Sequence, residues 1–348
     1  MSTHPFLPVA ATVHAKINLY LAVGAERPDG YHDLTTVFQS VSARDEVSLN
    51  VAEQAAPGED VVRGLSVDKR LPGEVPTHAG NLAWQAVRLV VQAYRDRHGP
   101  RLLPGVKIHI DKKIPVAGGM AGGSADAAAA LVAADAWLAV AYGREPLGAR
   151  GLYPLARQLG ADVPFVLAGQ TAFGTGRGDE LVTMLTRGQF HWAVVTSPQG
   201  LSTPEVFQRL DAMRAAGDVE CREPDTQPVA EALAAGDVEC REPDTQPVAE
   251  ALAAGDTEKL AGALHNDLQA AALSLRPELR KILRVGVSEG ALAGLVSGSG
   301  PTCVFLCPDA HAADEVAQAV AADNPGTRGM AVTGPAPGAE LVSATRAD

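Results

Sequence analysis

Residues 115–126 read Pro-Val-Ala-Gly-Gly-Met-Ala-Gly-Gly-Ser-Ala-Asp, with a strand-like segment (105–111) before them and an alanine-rich helical one (127–139) after. Glycines let the backbone turn tightly and bring bare N–H groups close to an anion. The helix that follows adds its positive N-terminal end. The chemistry this combination suits is phosphate binding, although a glycine cluster also serves as a tight turn without a ligand. Spacing excludes the two commonest cradles. A P-loop requires G-x-x-x-x-G-K-[ST], and Gly118 and Gly123 fit that spacing, but Ser124 stands where the lysine belongs. The G-x-G-x-x-G of a dinucleotide fold does not occur in this segment.

Four further segments carry polar groups in suggestive places. In Ala-Lys-Ile-Asn-Leu-Tyr-Leu (15–21), Lys16 and Asn18 share one strand face by the period of two; on an edge strand such a pair ordinarily faces solvent. Arg-Pro-Asp-Gly-Tyr-His-Asp-Leu (27–34) is a turn presenting the Tyr31 ring beside the His32 imidazole. Gly-Ala-Asp-Val-Pro-Phe (160–165) sets Asp162 beside a helix end, where an acid commonly caps. Ser-Gly-Ser-Gly-Pro-Thr (297–302) is a second loop of small residues next to a strand. Taken singly, each has an equally good structural explanation.

The elements that must carry these groups alternate along the chain. Segments 9–23, 45–51, 106–111, 170–174, 191–197 and 303–307 read as strands. Segments 82–98, 152–159, 257–273 and 277–289 read as helices, and 174–178 (Gly-Thr-Gly-Arg-Gly) as a mobile loop. With 348 residues the chain has length for two domains and a real core. A net charge of −12 argues against nucleic-acid binding, which needs clustered Lys and Arg. It leaves a nucleotide substrate open, because loop amides and a few cations can hold one.

No uninterrupted apolar run reaches the ~18 residues of a membrane span, and residues 1–16 lack a signal-peptide layout. The expectation is a cytoplasmic protein without membrane contact, a monomer or weak homodimer. Of four cysteines, none forms a CxxC pair, and Cys303 and Cys307 read as small core residues. Residues 215–233 (AAGDVECREPDTQPVAEAL) recur unchanged as 234–252. Each copy is acidic and holds two prolines, so neither is one continuous helix. Identity of the copies points to a recent duplication, or a sequence error, in a tolerant surface bulge with no catalytic role.

Together, AKINLYL, GYHDL, PVAGGMAGGSADAA, GADVPF and SGSGPT occur in the order found in the GHMP kinase superfamily, which this sequence resembles from about residue 11 to 306. GYHDL with GADVPF is the more specific part, and points to the branch whose substrate carries a cytosine. The resemblance implies a two-domain α+β fold: an N-terminal nucleotide-binding domain (1–185) and a C-terminal α/β-sandwich, ferredoxin-like domain (186–348) that includes the duplication. The active site would lie in the cleft between them.

The implied reaction is ATP-dependent phosphorylation of the 2-hydroxyl of 4-diphosphocytidyl-2-C-methyl-D-erythritol, in the non-mevalonate route to isoprenoid precursors. Lys16 and Asp162 would be catalytic. Pro115, Val116, Ala117, Gly118, Gly119, Met120, Ala121, Gly122, Gly123, Ser124 and Ala125, with Asn81, would hold ATP, and Ser124 would meet Mg²⁺. Asn18, Tyr31, His32, Thr203, Pro204 and Phe207 would contact the substrate. Many members carry Leu-Gly where this chain has Met120-Ala121, and a second Ser where it has Ala125; Ala121 suits close approach if its φ is negative. The rival readings are a homoserine- or mevalonate-type kinase, whose substrate presents no cytosine, and a nucleotide-binding protein without catalysis, which need not keep Lys16 and Asp162.

Overall fold

The computed structural model describes residues 8–54, 60–69, 73–116, 118–197, 199–219 and 244–342. In chain order the first half contains β1 (Val9–Glu26), β2 (His32–Gln54), β3 (Val62–Lys69), α1 (Leu82–His98), β4 (Pro104–Lys112), α2 (Gly122–Tyr142), α3 (Gly148–Leu159), α4 (Val163–Ala168), β5 (Thr171–Thr175) and β6 (Glu180–Thr183). The second half contains β7 (Phe190–Thr196), α5 (Thr203–Ala215), α6 (Gln246–Ala254), α7 (Thr257–Ala263), β8 (His265–Asn266), α8 (Leu268–Leu275), α9 (Leu279–Ser288), β9 (Ala293–Val296), β10 (Cys303–Cys307), α10 (Ala310–Asp323), β11 (Arg328–Gly334) and β12 (Glu340–Leu341).

Two sheets organise the chain. An eight-stranded sheet has the path β12-β1-β2-β4-β3, with β5 on β2, β6 on β5 and β8 on β1; a four-stranded sheet runs β11-β7-β10-β9. Along β1 the alternate residues Ala11, Val13, Ala15, Ile17 and Leu19 are fully buried in the main core, as a half-polar, half-apolar strand requires. The core is closed by α2, whose alanines at 125, 127–130, 133 and 134 are all fully buried. Small side chains let this helix lie close to both the sheet and α1. By length and hydropathy α2 could cross a membrane, but 72% of its apolar window is buried inside the protein; it is a core helix.

Several expected elements take a different form. The helix expected over 257–273 is two helices, because β8 interrupts them to pair in parallel with Tyr20 and Leu21 of β1. The loop expected to be mobile at 174–178 is a tight hairpin turn: Gly178 N–H donates to Thr175 O at 2.9 Å, and Leu34 N–H donates to Gly176 O at 2.7 Å. Cys303 and Cys307 are buried free thiols. Burial pushes Cys303 up to about 12 and Cys307 up to about 11, so both are inert packing groups. Cys221 and Cys240 lie outside the described residues.

The duplicated tract is not wholly a surface bulge. The first copy begins at Ala215, the last residue of α5, while the end of the second copy forms α6, burying Val248, Ala251 and Leu252 in the main core. Among the described residues, α5 draws on the first copy and α6 on the second. Because the copies are identical, deleting 234–252 leaves a chain that still holds both. The deleted form is expected to melt like the full chain and to turn over within about twofold of it, since loop length costs little. A collapse of turnover would show that the second copy is needed.

Candidate active site

The site starts from the outer edge of β1. On that side β12 pairs with Ala11 and Thr12, and β8 with Tyr20 and Leu21. The backbone between them still needs partners, and two loops supply them. Lys16 N–H donates to Met120 O of the glycine loop at 3.3 Å, and Asn18 N–H reaches Ser297 Oγ at 3.4 Å. Lys16 and Asn18 are thus not on an exposed edge; they are 5% and 2% exposed.

Their side chains are ordered by a relay. Lys16 Nζ donates to Asn18 Oδ1 at 2.8 Å, Asn18 Nδ2 to Thr36 Oγ1 at 3.0 Å, and Thr36 Oγ1 to Tyr20 O at 2.8 Å. The ammonium also lies 5.2 Å from the centre of the Phe38 ring. Asp162 stands 3.8 Å from Lys16 Nζ. It occupies the position before α4 where an acid usually caps, yet its side chain makes no capping bond. An acid at a helix start, turned to a buried lysine and 36% exposed, can receive a proton from a bound hydroxyl.

The glycine loop runs into α2, with Ser124 its third residue and half-buried. Gly119 has φ +72°, and a Cβ there would meet Ser297 O at 2.5 Å. Ser297 Oγ also donates to Gly119 O at 3.4 Å. Ala121 has φ +57°, so the condition of a negative φ fails: this alanine sits in the left-handed region at a cost of about 1 kcal/mol relative to glycine. Pro115, Met120 and Ala125 are buried, Val116, Ala121 and Gly122 half-buried, and Gly123 exposed; Ala117 lies outside the described residues. Asn81 caps α1, its Oδ1 accepting from Ala83 N–H at 2.8 Å and its Nδ2 donating to Pro76 O at 2.7 Å. Its neighbour Leu82 lies beside Gly123, so this cap borders the mouth of the loop.

Beneath the loop is an ionic node that the motifs did not reveal. Lys112 Nζ donates to Asp45 Oδ2 at 2.5 Å, Asp126 Oδ2 at 2.8 Å and Gly122 O at 2.7 Å. Asp45 Oδ1 accepts from Lys113 N–H and Ile114 N–H. The two ends of the loop are therefore tied to one point. Burial opposes the charge on Lys112, but the two carboxylates outweigh it and hold its pKa above the ordinary value. Burial, with Lys112 opposing and Asp45 adding, pushes Asp126 up to about 8.

The folded chain thus keeps a proton that the unfolded chain releases near 3.8. Stability contributed by that proton is complete at the acid end and declines as pH rises through about 8. Asp126→Asn is expected to flatten that decline in thermal melts taken across the window; profiles of equal slope would remove Asp126 from the account. The sequence signal for this node was a lysine pair before the loop and an acid in the first turn after it.

The aromatic pair lies further along the same hairpin. His32 is buried, its ring 5.0 Å from that of Phe207, and its Nε2 lies 2.9 Å from Asp211 Oδ1. Tyr31 is 56% exposed. Thr203 and Pro204 open α5 and are exposed, and the Thr203 hydroxyl is 2.9 Å from Ser299 Oγ. The 297–302 loop therefore touches β1, the glycine loop and α5. Asn266 holds it, with Nδ2 donating to Val296 O and Gly298 O at 2.7 and 2.8 Å. Neither Asn266 nor Asp211 belongs to a motif read from sequence; both act through contacts remote along the chain.

Residues 81–170 match the GHMP kinases N terminal domain, and residues 248–326 match GHMP kinases C terminal. The chain is 46% identical over 331 residues to the 4-diphosphocytidyl-2-C-methyl-D-erythritol kinase of Corynebacterium efficiens, covering 95% of each chain. It is 48% identical to the enzyme of the same name from Mycobacterium avium, covering 97% of this chain and 94% of that one. Among solved structures, a 4-(cytidine 5'-diphospho)-2C-methyl-D-erythritol kinase superposes with a TM-score of 0.67 at 28% identity, over 93% of this chain and 98% of that one. The homoserine kinase of Cytophaga hutchinsonii shares the fold, with a TM-score of 0.65 at 18% identity over 96% of this chain and 97% of that one. With its two glycine-bearing loops meeting on the Lys16 strand and these relatives spanning nearly its whole length, the chain belongs to the GHMP kinases, within the family of 4-diphosphocytidyl-2-C-methyl-D-erythritol kinases.

Proposed function

We propose that this kinase transfers the γ-phosphoryl group of ATP to the 2-hydroxyl of 4-diphosphocytidyl-2-C-methyl-D-erythritol, a step of the non-mevalonate route to isoprenoid precursors. The observation that carries the reading is the spacing of two ends on one hairpin. Asn18 pairs with Phe38 of β2, and His32 opens that strand six residues earlier. At about 3.3 Å per residue, roughly 20 Å separates the acid–lysine end from the His32–Phe207 end. That is room for an extended nucleoside diphosphate ester, with its base at the aromatic end and its alcohol at Asp162.

On this reading Tyr31, His32 and Phe207 hold the cytosine, with Thr203 and Pro204 closing the far side. Asn18 contacts the alcohol portion. Asp162 orients the 2-hydroxyl and takes its proton; carboxylates are weak bases toward alcohols, so the transfer comes late, as the bond to ADP breaks. Lys16 stabilises the developing alkoxide. The N–H groups of residues 115–125 and the start of α2 hold the triphosphate, with Asn81 at the rim. Among the described residues no cluster of three or more His, Cys, Asp or Glu could hold a metal alone. Mg²⁺ keeps phosphate oxygens and water as its main ligands, so Ser124, half-buried at the start of α2, fits it as a single protein contact. The ion supplies charge neutralisation on the phosphates.

The chain divides near residue 185 into an ATP-binding part (1–185) and a second part (186–348), a boundary supported by the four-stranded sheet beginning at Phe190. The enzyme works in the cytoplasm as a monomer or weak homodimer, on small molecules. ADP release with Mg-ATP and the cytidylyl substrate, against mevalonate and homoserine, tests the assignment. Turnover with the cytidylyl alcohol alone is expected. Turnover with either control instead, or ATP binding without turnover, would overturn it.

A further inference from the structure

Thr302 ends the second small-residue loop and is fully buried, yet its Oγ1 has no hydrogen-bond partner. A buried hydroxyl left unpaired is costly, and such groups are uncommon in folded chains. The loop around it is tight, because Ser297 N–H donates to Thr302 O at 2.9 Å. The hydroxyl points at the glycine loop. A Cβ built on Gly118 would lie 2.7 Å from Thr302 Oγ1, and its next neighbour, Pro115 Cβ, would be at 3.6 Å. Gly118 has no left-handed backbone angle. Its lack of a side chain therefore answers to this one hydroxyl.

We propose that the Thr302 hydroxyl is a positioning group that donates to a glycine-loop carbonyl beside Gly118 when the loop is loaded with nucleotide; this rests on the reading of residues 115–125 as the triphosphate loop. The N–H and C=O of a trans peptide unit point in opposite directions. Turning loop N–H groups toward a polyphosphate in the cleft therefore turns the paired carbonyls inward, to the buried side where Thr302 stands. One residue further on, Ser297 Oγ already reaches Gly119 O at 3.4 Å, which is the same kind of contact. A bond made only in the loaded form strengthens ATP binding and contributes nothing to the stability of the empty protein.

That separation defines the test. Thr302→Val keeps the shape and removes the hydroxyl. It is expected to leave the melting temperature of the nucleotide-free protein unchanged or higher, and to raise KM for ATP about three- to tenfold, with KM for the alcohol unaffected. Thr302→Ser keeps the hydroxyl and is expected to bind ATP like the native chain. Gly118→Ala is expected to weaken ATP binding, and Gly118→Ala/Thr302→Ala to recover to the level of Thr302→Ala, since the colliding atom is gone. An unchanged KM for ATP in Thr302→Val, a lowered melting temperature with both KM values raised, or additive losses in the double variant would overturn the proposal. Native protein that binds no ATP would instead overturn the nucleotide reading of the loop itself.

Discussion

Asp162→Asn is expected to bind Mg-ATP like the native enzyme and to lose on the order of 10²–10⁴ in kcat. The amide matches the carboxylate in size, and the native side chain makes no capping bond to α4 that the change could break. What is lost is the negative partner 3.8 Å from Lys16 Nζ and, on the proposed mechanism, the acceptor for the substrate proton. Lys16 itself stays ordered through Asn18 and Thr36, so the site keeps its shape. Melting temperature, nucleotide titration and single-turnover phosphoryl transfer separate these effects. If kcat held within a few-fold, Asp162 would not be the group that handles the hydroxyl proton. The ATP reading of the glycine loop would survive that result.

Gly119→Ala is expected to raise KM for ATP at least about tenfold and to lower stability by about 1–3 kcal/mol. Two costs coincide there. The residue has φ +72°, where an L side chain is strained, and the new Cβ would meet Ser297 O at 2.5 Å, with Gly300 N and O at 3.4 Å. These are backbone atoms, so no rotamer change relieves the collision; the two loops must part. Parting them also breaks the contact from Ser297 Oγ to Gly119 O that joins the two loops. No truncation of a neighbouring side chain is expected to rescue this variant, in contrast to Gly118, whose obstacle is one hydroxyl. ATP binding and melting temperature near native values would show that the loops are not in register as described.

Local chemistry made much of the molecule legible beforehand. Helix α1 begins and ends where the expectation from periodicity put it, and β10 spans Cys303–Cys307 as expected. These elements carry their own signals: a cap, an amphipathic stripe, a short apolar run between turn residues. The glycine loop could be read as a candidate anion site because glycines and a helix start are consecutive in the chain. Less was visible where the signal is non-local. The single strand β2 runs across 23 residues, its first half reading as turn and polar sequence. β8 is only two residues long and exists because β1 offers an edge.

The amino-acid sequence by itself determined which groups are available for chemistry: a lysine and an asparagine on one strand face, an acid before a helix, an aromatic–imidazole turn, and two glycine-bearing loops. Tertiary structure decided what they do to one another. It placed Asp162 on Lys16 across 146 residues of chain, set Phe207 and Asp211 on His32, and seated both loops on the stretch of β1 that β8 and β12 leave to them. It also put Lys112 between two carboxylates and Ala121 in a left-handed turn. The reason is physical. Periodicity and turn chemistry act over a few residues, whereas a buried hydrogen bond or charge is satisfied by whatever atom packing brings within 3 Å or so, wherever that atom lies in the chain.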